Sequence, residues 1–279
     1  MVPAIEVKGE KGSGAKIPAI GLGTMTLKGD VCVNAVSDAI GMGYRHLDTA
    51  AFYGNEAEVG EGIRKSGIAR DDIFLTTKVR HSDLAAGAFE AAVAGSLEKL
   101  GLPYVDLLLI HWPSPDLRPT DYIPRLCEAR RKGQAKHIGV ANFTRALLDE
   151  AESAADEPLV NNQIEAHPFL DARTIIADCK RRGISITAYC PLGRGRIPGN
   201  AVLERIAKTH GKSEAQVALR WLVQQEIIPI PRTATPEKLK QNLDVFDFML
   251  ADSEMADIAK LSNPNGRIVN PPQAPKWDV

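Results

Sequence analysis

Eight short apolar runs, each ending in a polar residue and each followed by a stretch with helical periodicity, constrain this chain more than any other feature. The runs cover 20–24, 45–48, 74–78, 106–111, 137–142, 159–163, 185–189 and 227–231. Strands alternating with helices imply a parallel sheet. The fully apolar LLLI at 107–110 suits a strand covered on both faces. Between the strands, 85–100 places Phe89, Val93, Leu97 and Leu100 on one helical face, with Gly101 as its stop. Asp171 is placed to cap a helix ending before Gly183. Ser213 and Gln216 form a capping-box pattern, and Thr235 precedes Pro236 at a first helical position. The gap from 189 to 231 holds two helical patterns, 201–210 and 213–225.

Eight such units predict an α/β fold, a (β/α)8 TIM barrel. A short N-terminal β-hairpin, with Gly-Ser-Gly at 12–14 near its tip, is expected to plug the barrel's bottom. Pro271, Pro272 and Pro275 predict an extended C-terminal tail, with Trp277 packed on the barrel surface. The alternative is a doubly wound sheet. Against it, no G-x-G-x-x-G opens a helix after the first strand; GLGTM lacks the third glycine and 193–199 has the wrong spacing. A length of 279 residues divides into about two average domains, but α/β barrels of about 250 residues are single domains. One domain over 1–279 is therefore expected.

Charge narrows the function. With 34 Lys+Arg against 35 Asp+Glu, the chain lacks the basic excess of a nucleic-acid-binding domain. No apolar run approaches the length of a membrane span, and the charged N-terminus lacks a signal-peptide core. A cytoplasmic protein is expected. Its four cysteines, at 32, 127, 179 and 190, have no metal-ligand or CxxC spacing and are expected to be reduced thiols; no metal is expected.

Barrel enzymes place their active sites at the C-terminal ends of the strands. There the chain puts Asp48, Tyr53, Lys78 and His111. Taken singly, each has an ordinary reading as a turn cap, a loop aromatic, a solvated lysine and a satisfied histidine. Together they compose a carbonyl-reducing site. A hydride arriving at a carbonyl carbon leaves charge on oxygen, which needs a proton donor and an electrostatic clamp. The Tyr53 hydroxyl can donate, Lys78 is expected to lower its pKa, Asp48 to hold Lys78, and a neutral His111 to orient the carbonyl. Asn142 and Gln163 carry amides that match a carboxamide, and Tyr189 offers a flat floor for a nicotinamide. Arg232, Thr233 and Lys238 surround the start of a helix after the last strand, a setting for phosphate. Cations there suit the 2′-phosphate of NADP.

The motifs LDTAAFYGNE, TTKV, LLLIHWP, GVANF, NNQIE, YCPLG and IPIPRTATPEKLKQNL occur in the order found in the aldo-keto reductases. The chain resembles that family from GLGT at 21–24 to its tail, and within it the bacterial 2,5-diketo-D-gluconate reductases. The resemblance implies a tetrad of Tyr53, Asp48, Lys78 and His111 and an extended NADPH. Thr24 and Asp48 would lie near the cofactor, Asn142 and Gln163 on its carboxamide, and Tyr189 on its ring. Leu192 and Arg194 would flank the pyrophosphate, Arg232, Thr233 and Lys238 the 2′-phosphate, and Gln241 and Asn242 the adenine. Met25 and Trp112 would wall the substrate. Where many members have Ser, Trp and Arg, this chain has Ala141, Met25 and Lys238; Cys190 replaces a common Ser. The implied activity is NADPH-dependent reduction of small aldehydes and ketones, with 2,5-diketo-gluconate or other keto sugars as candidates, by a monomer. The alternatives are methylglyoxal-type aldehyde detoxification and a nicotinamide-binding redox sensor with little turnover.

Overall fold

The computed structural model of the protein describes residues 2–7 and 14–278. A two-stranded hairpin, β1 (Ala4–Glu6) and β2 (Lys16–Pro18), precedes eight strands: β3 (Leu22–Gly23), β4 (His46–Asp48), β5 (Phe74–Val79), β6 (Val105–Ile110), β7 (Ala135–Ala141), β8 (Leu159–Glu165), β9 (Ser185–Tyr189) and β10 (Ile227–Pro229). Each of the eight pairs in parallel with the next in chain order. The sheet closes on itself where Gly21 N–H donates to Pro229 O at 3.0 Å and Gly23 N–H to Pro231 O at 3.1 Å. The expected (β/α)8 barrel is therefore present.

Strand β6 shows why an apolar run was needed. Leu108 and Ile110 face the helix layer, while Leu107 and Leu109 face the barrel interior with Val160 and Ile228. Val7, Ala15 and Ile17 of the hairpin join that interior cluster, so the hairpin is the bottom plug. Of its expected Gly-Ser-Gly tip, residues 12 and 13 lie outside the described residues, and Gly14 has φ +59°. Helices Gly29–Gly41, Glu56–Ser66, Ala88–Leu100, Pro119–Arg131, Arg145–Ala154 and Arg173–Arg181 each follow one of β3–β8. Ala201–His210 and Glu214–Val223 share the long connection to β10, as the two patterns there predicted.

Local signals held with small shifts. The Ser213–Gln216 capping box is formed in both directions. The third helix starts at Ala88, because the Glu90 carboxylate accepts from Gly87 N–H at 2.7 Å. Asp171 is not itself the cap: that place falls to Ala172, and Asp171 accepts the Arg173 N–H from one residue further out. Thr235 does cap by position, yet its side chain accepts no helix N–H; its own N–H donates to Thr233 Oγ1 at 3.1 Å. Trp277 packs on the barrel surface as expected, at the mouth. It packs edge-on against Trp112, with Arg267 stacked 3.5 Å from its ring centre, because the tail folds back over the barrel mouth. Among the described residues no helix is long and apolar enough to cross a membrane.

At Gly23 the seam between β3 and β10 leaves no room for a side chain. A Cβ at Gly23 would lie 2.7 Å from Ile230 O, a backbone atom with no freedom to swing aside. Gly23→Ala must strain the closing hydrogen bonds, at a cost of about 1–3 kcal/mol. Thermal unfolding is expected to show Tm lowered by about 3–10 °C; an unchanged Tm would contradict this account of the seam.

Candidate active site

Asp48 ends β4 and Lys78 lies near the end of β5, so adjacent parallel strands bring them together. Both side chains are almost wholly buried, with Lys78 Nζ 2.6 Å from Asp48 Oδ1. An ammonium has three protons, and each has a partner: Asp48, the Thr49 carbonyl at 2.8 Å and the Tyr53 hydroxyl at 3.4 Å. The second carboxylate oxygen of Asp48 accepts from Gln163 Nε2 at 2.7 Å. Removing one partner from a buried pair of this kind typically costs about 3–5 kcal/mol, because it strands the other charge. Tyr53 comes from the short turn Ala51–Tyr53, ended by Gly54 at φ +59°. Lys28 Nζ donates to the carbonyls of Tyr53 and Gly54 and pins that turn. The His111 ring stands edge-on to the Tyr53 ring, centres 5.6 Å apart.

Electrostatics fix the protonation states. Burial pushes the His111 imidazole well below its ordinary pKa, helped by Lys78 and by His81 and Arg80, so it is neutral at pH 7. Burial likewise pushes the Lys78 ammonium down, opposed by Asp48. Tyr53 corrects an expectation: its pKa is raised well above the usual phenol range, not lowered. Enclosure penalises the phenolate, and the Asp48 carboxylate repels it. Tyr53 is thus a proton-bearing phenol throughout the neutral range.

These groups sit at the floor of a cavity of about 870 Å³. Tyr53, Asp48 and His111 line it, while Lys78 stands behind them. Of the predicted cofactor residues, Asn142, Gln163, Tyr189, Leu192, Arg194 and Arg232 line the same cavity. Asn142 donates to the His111 backbone carbonyl at 3.0 Å and accepts from the Tyr189 hydroxyl at 2.8 Å, so its amide links the Tyr189 side chain to the β6 exit. Thr24 lies just under the wall, its hydroxyl turned to the Asp48 carbonyl, between cavity-lining Gly23 and Met25. Thr233, Lys238, Gln241 and Asn242 lie beyond the cavity on the β10 exit and the helix Pro236–Leu243, Thr233 and Asn242 buried and the other two exposed. Met25 and Trp112 both line the cavity. Cys190 also does, but burial raises its pKa and leaves it a poor nucleophile. Among the described residues no cluster suited to a metal occurs.

Sequence reasoning missed two walls. Arg80, His81 and Ser82, just past β5, line the cavity. The polar residue following a strand end was the available signal. Val269, Pro271 and Gln273 of the tail form another part. The tail is held by Glu165, the last residue of β8, whose buried carboxylate accepts from Ile268 N–H at 2.6 Å, Val269 N–H at 2.8 Å and His167 Nε2 at 3.0 Å. Burial raises the Glu165 pKa, but His167 and the two amides outweigh it, so the net shift is downward.

A closed parallel barrel with an aspartate, a tyrosine, a lysine and a histidine gathered at the C-terminal mouth defines a class of cofactor-using oxidoreductase scaffold. A sequence profile described as the Aldo/keto reductase family matches residues 19–263. The chain belongs to the aldo/keto reductase family. A crystal structure classed provisionally as 2,5-diketo-D-gluconic acid reductase B superimposes with TM-score 0.95 at 44% identity, covering 100% of this chain and 98% of that one. The methylglyoxal reductase of Yersinia pestis is 39% identical over 266 residues, 94% of this chain and 99% of its own. An aldo-keto reductase of Bombyx mori in complex with NADP superimposes with TM-score 0.89 at 34% identity, covering 97% and 95%.

The Glu165 clamp has a pH sign. A carboxylate with a depressed folded pKa stabilises above its unfolded value, about 4.3, and loses that contribution as pH falls through the folded pKa. The tail should therefore stay anchored at pH 5–8 and loosen only in stronger acid. Glu165→Gln is expected to speed hydrogen exchange at Ile268 and Val269 by about tenfold or more at pH 7. Unchanged exchange there would show that the carboxylate does not hold the tail.

Proposed function

We propose that the chain reduces small aldehydes and ketones with NADPH and that Tyr53 is the proton donor. One observation carries the reading: a protonated phenol beside a charge-balanced lysine, across from a neutral imidazole, faces a cavity large enough for a cofactor and a small substrate together. The donor set fits the cofactor. Arg194 and Arg232 line the cavity without an ion-pair partner among the described residues, and Arg suits phosphate. The NADP complex of the Bombyx mori relative supports the same choice.

Asn142 and Gln163 would hold the carboxamide, Tyr189 the face of the nicotinamide ring, and Leu192 and Arg194 the pyrophosphate. Arg232, Thr233 and Lys238 would hold the 2′-phosphate, with Gln241 and Asn242 toward the adenine. When bound, NADPH supplies the hydride to the carbonyl carbon. His111 donates one N–H to the carbonyl oxygen and orients it. Tyr53 passes its hydroxyl proton to that oxygen as charge develops there, giving the alcohol. The transient phenolate is stabilised by Lys78, whose ammonium already points at the hydroxyl. Asp48 and the Thr49 carbonyl hold Lys78 in line, and Gln163 holds Asp48. Keto sugars such as 2,5-diketo-gluconate and methylglyoxal-like aldehydes are the candidate substrates, with Met25 and Trp112 as walls. The assembled proton donor favours turnover over a sensing role.

Tyr53→Phe, assayed with NADPH and a panel containing methylglyoxal, simple aldehydes and keto sugar acids, is expected to lower kcat by about 10²- to 10⁴-fold for every substrate. NADPH affinity should stay within about threefold, because the hydroxyl acts on the carbonyl oxygen. Wild-type-like turnover by the variant would remove Tyr53 as donor. NADPH binding with no oxidation for any carbonyl by the wild-type protein would overturn the enzymatic reading.

A further inference from the structure

The cavity has basic side chains on two opposite walls. Arg194 and Arg232 stand at the exits of β9 and β10. Arg80 and His81 stand at the exit of β5, which is four strands from β9 around an eight-stranded ring. Tyr53 and His111, on β4 and β6 exits, flank the second pair. Among the described residues, Asp48 is the only carboxylate lining the cavity, and it is already committed to Lys78 and Gln163. The phosphates of the proposed cofactor account for the first wall and leave the second without an anion.

Arg80 is short of partners. Its Nη2 donates to Ala51 O at 2.9 Å, and its guanidinium lies 5.8 Å from the exposed Phe52 ring centre. A guanidinium has five N–H donors, and Arg80 has no carboxylate partner among the described residues. The nearby Asp83 accepts from the Ser82 hydroxyl at 2.8 Å instead. The Ala51 bond ties the exposed Arg80 side chain to the turn that carries Tyr53. Arg80 and His81 line the same cavity as Tyr53 and His111.

We propose that Arg80, with His81 beside it, binds a carboxylate on the substrate, so that the preferred substrates are carbonyl compounds bearing an acid group a few bonds from the reacting carbon. The inference rests on the carbonyl-reducing reading of the site. Arg80 supplies a fork that matches a carboxylate bidentately. It turns a small substrate so that its carbonyl meets Tyr53 and His111 while its acid end points to the β5 exit. Uncharged aldehydes of similar size still enter but lose that anchor.

The test uses a matched pair, succinate semialdehyde and butanal, and a non-reacting probe, butyrate. Arg80→Ala is expected to lower kcat/KM for the semialdehyde by about 10- to 100-fold, mostly through KM, and to leave butanal within about threefold. Arg80→Lys should recover part of the loss, because it keeps the charge without the fork. Calorimetry of butyrate with the NADP+-saturated protein keeps Arg194 and Arg232 engaged, and Arg80→Ala should abolish the butyrate heat. An equal loss for semialdehyde and butanal, or unchanged butyrate binding, overturns the anion site. If the wild-type protein turns over neither aldehyde while butyrate binding depends on Arg80, the reductase reading fails and the anion site stands.

Discussion

The ion pair between Lys78 and Asp48 is the interaction on which the rest of the site depends. Two charges taken out of water at the end of a barrel are expensive, and only a full set of partners makes them tolerable. The structure provides that set. Lys78 has a carboxylate, a carbonyl and a phenol for its three protons, and Asp48 has Lys78 and Gln163 for its two oxygens. Because the pair is neutral as a unit, it does not strip the proton from Tyr53. In the proposed reaction it would favour the phenolate once the proton has left. Strand register does the positioning: Asp48 pairs with Thr76 on β5, which places Lys78 two residues further toward the mouth.

The same logic of paired groups extends outward from the floor. Asn142 ties the His111 backbone to the Tyr189 hydroxyl, so the exits of β6 and β9 are linked through the end of β7. Glu165, one strand over, turns two backbone amides of the tail into a fixed wall. Rigid strands thus supply the chemistry while the loop after β5 and the C-terminal tail shape what reaches it, a division expected for a barrel whose function resides in its loops.

Much of this was legible in the sequence because strand periodicity and strand ends are local signals. LLLI reads as a doubly covered strand because Leu107 and Leu109 do face the interior while Leu108 and Ile110 face helices. Asp48, Lys78 and His111 were legible for the same reason, each lying at or next to a strand end, and Tyr53 because it lies in the short turn after β4. What was not legible depends on contacts between distant residues or on charge balance. Glu165 meets Ile268 across 103 positions, and no local pattern announces that. Trp277 reaches Trp112 only because the tail folds back. The upward Tyr53 shift is of the same kind: enclosure and the Asp48 carboxylate penalise a phenolate, and neither shows in the sequence around Tyr53.

The central claim is that Tyr53 holds its proton at neutral pH beside a charge-balanced lysine. Ultraviolet difference titration of tyrosinate, comparing the wild-type protein with Tyr53→Phe, tests it most directly. The account predicts identical curves up to about pH 10, because the Tyr53 phenolate is penalised by burial and by Asp48. A single phenolate appearing between about pH 6 and 9 in the wild-type protein, and absent in the variant, would contradict it.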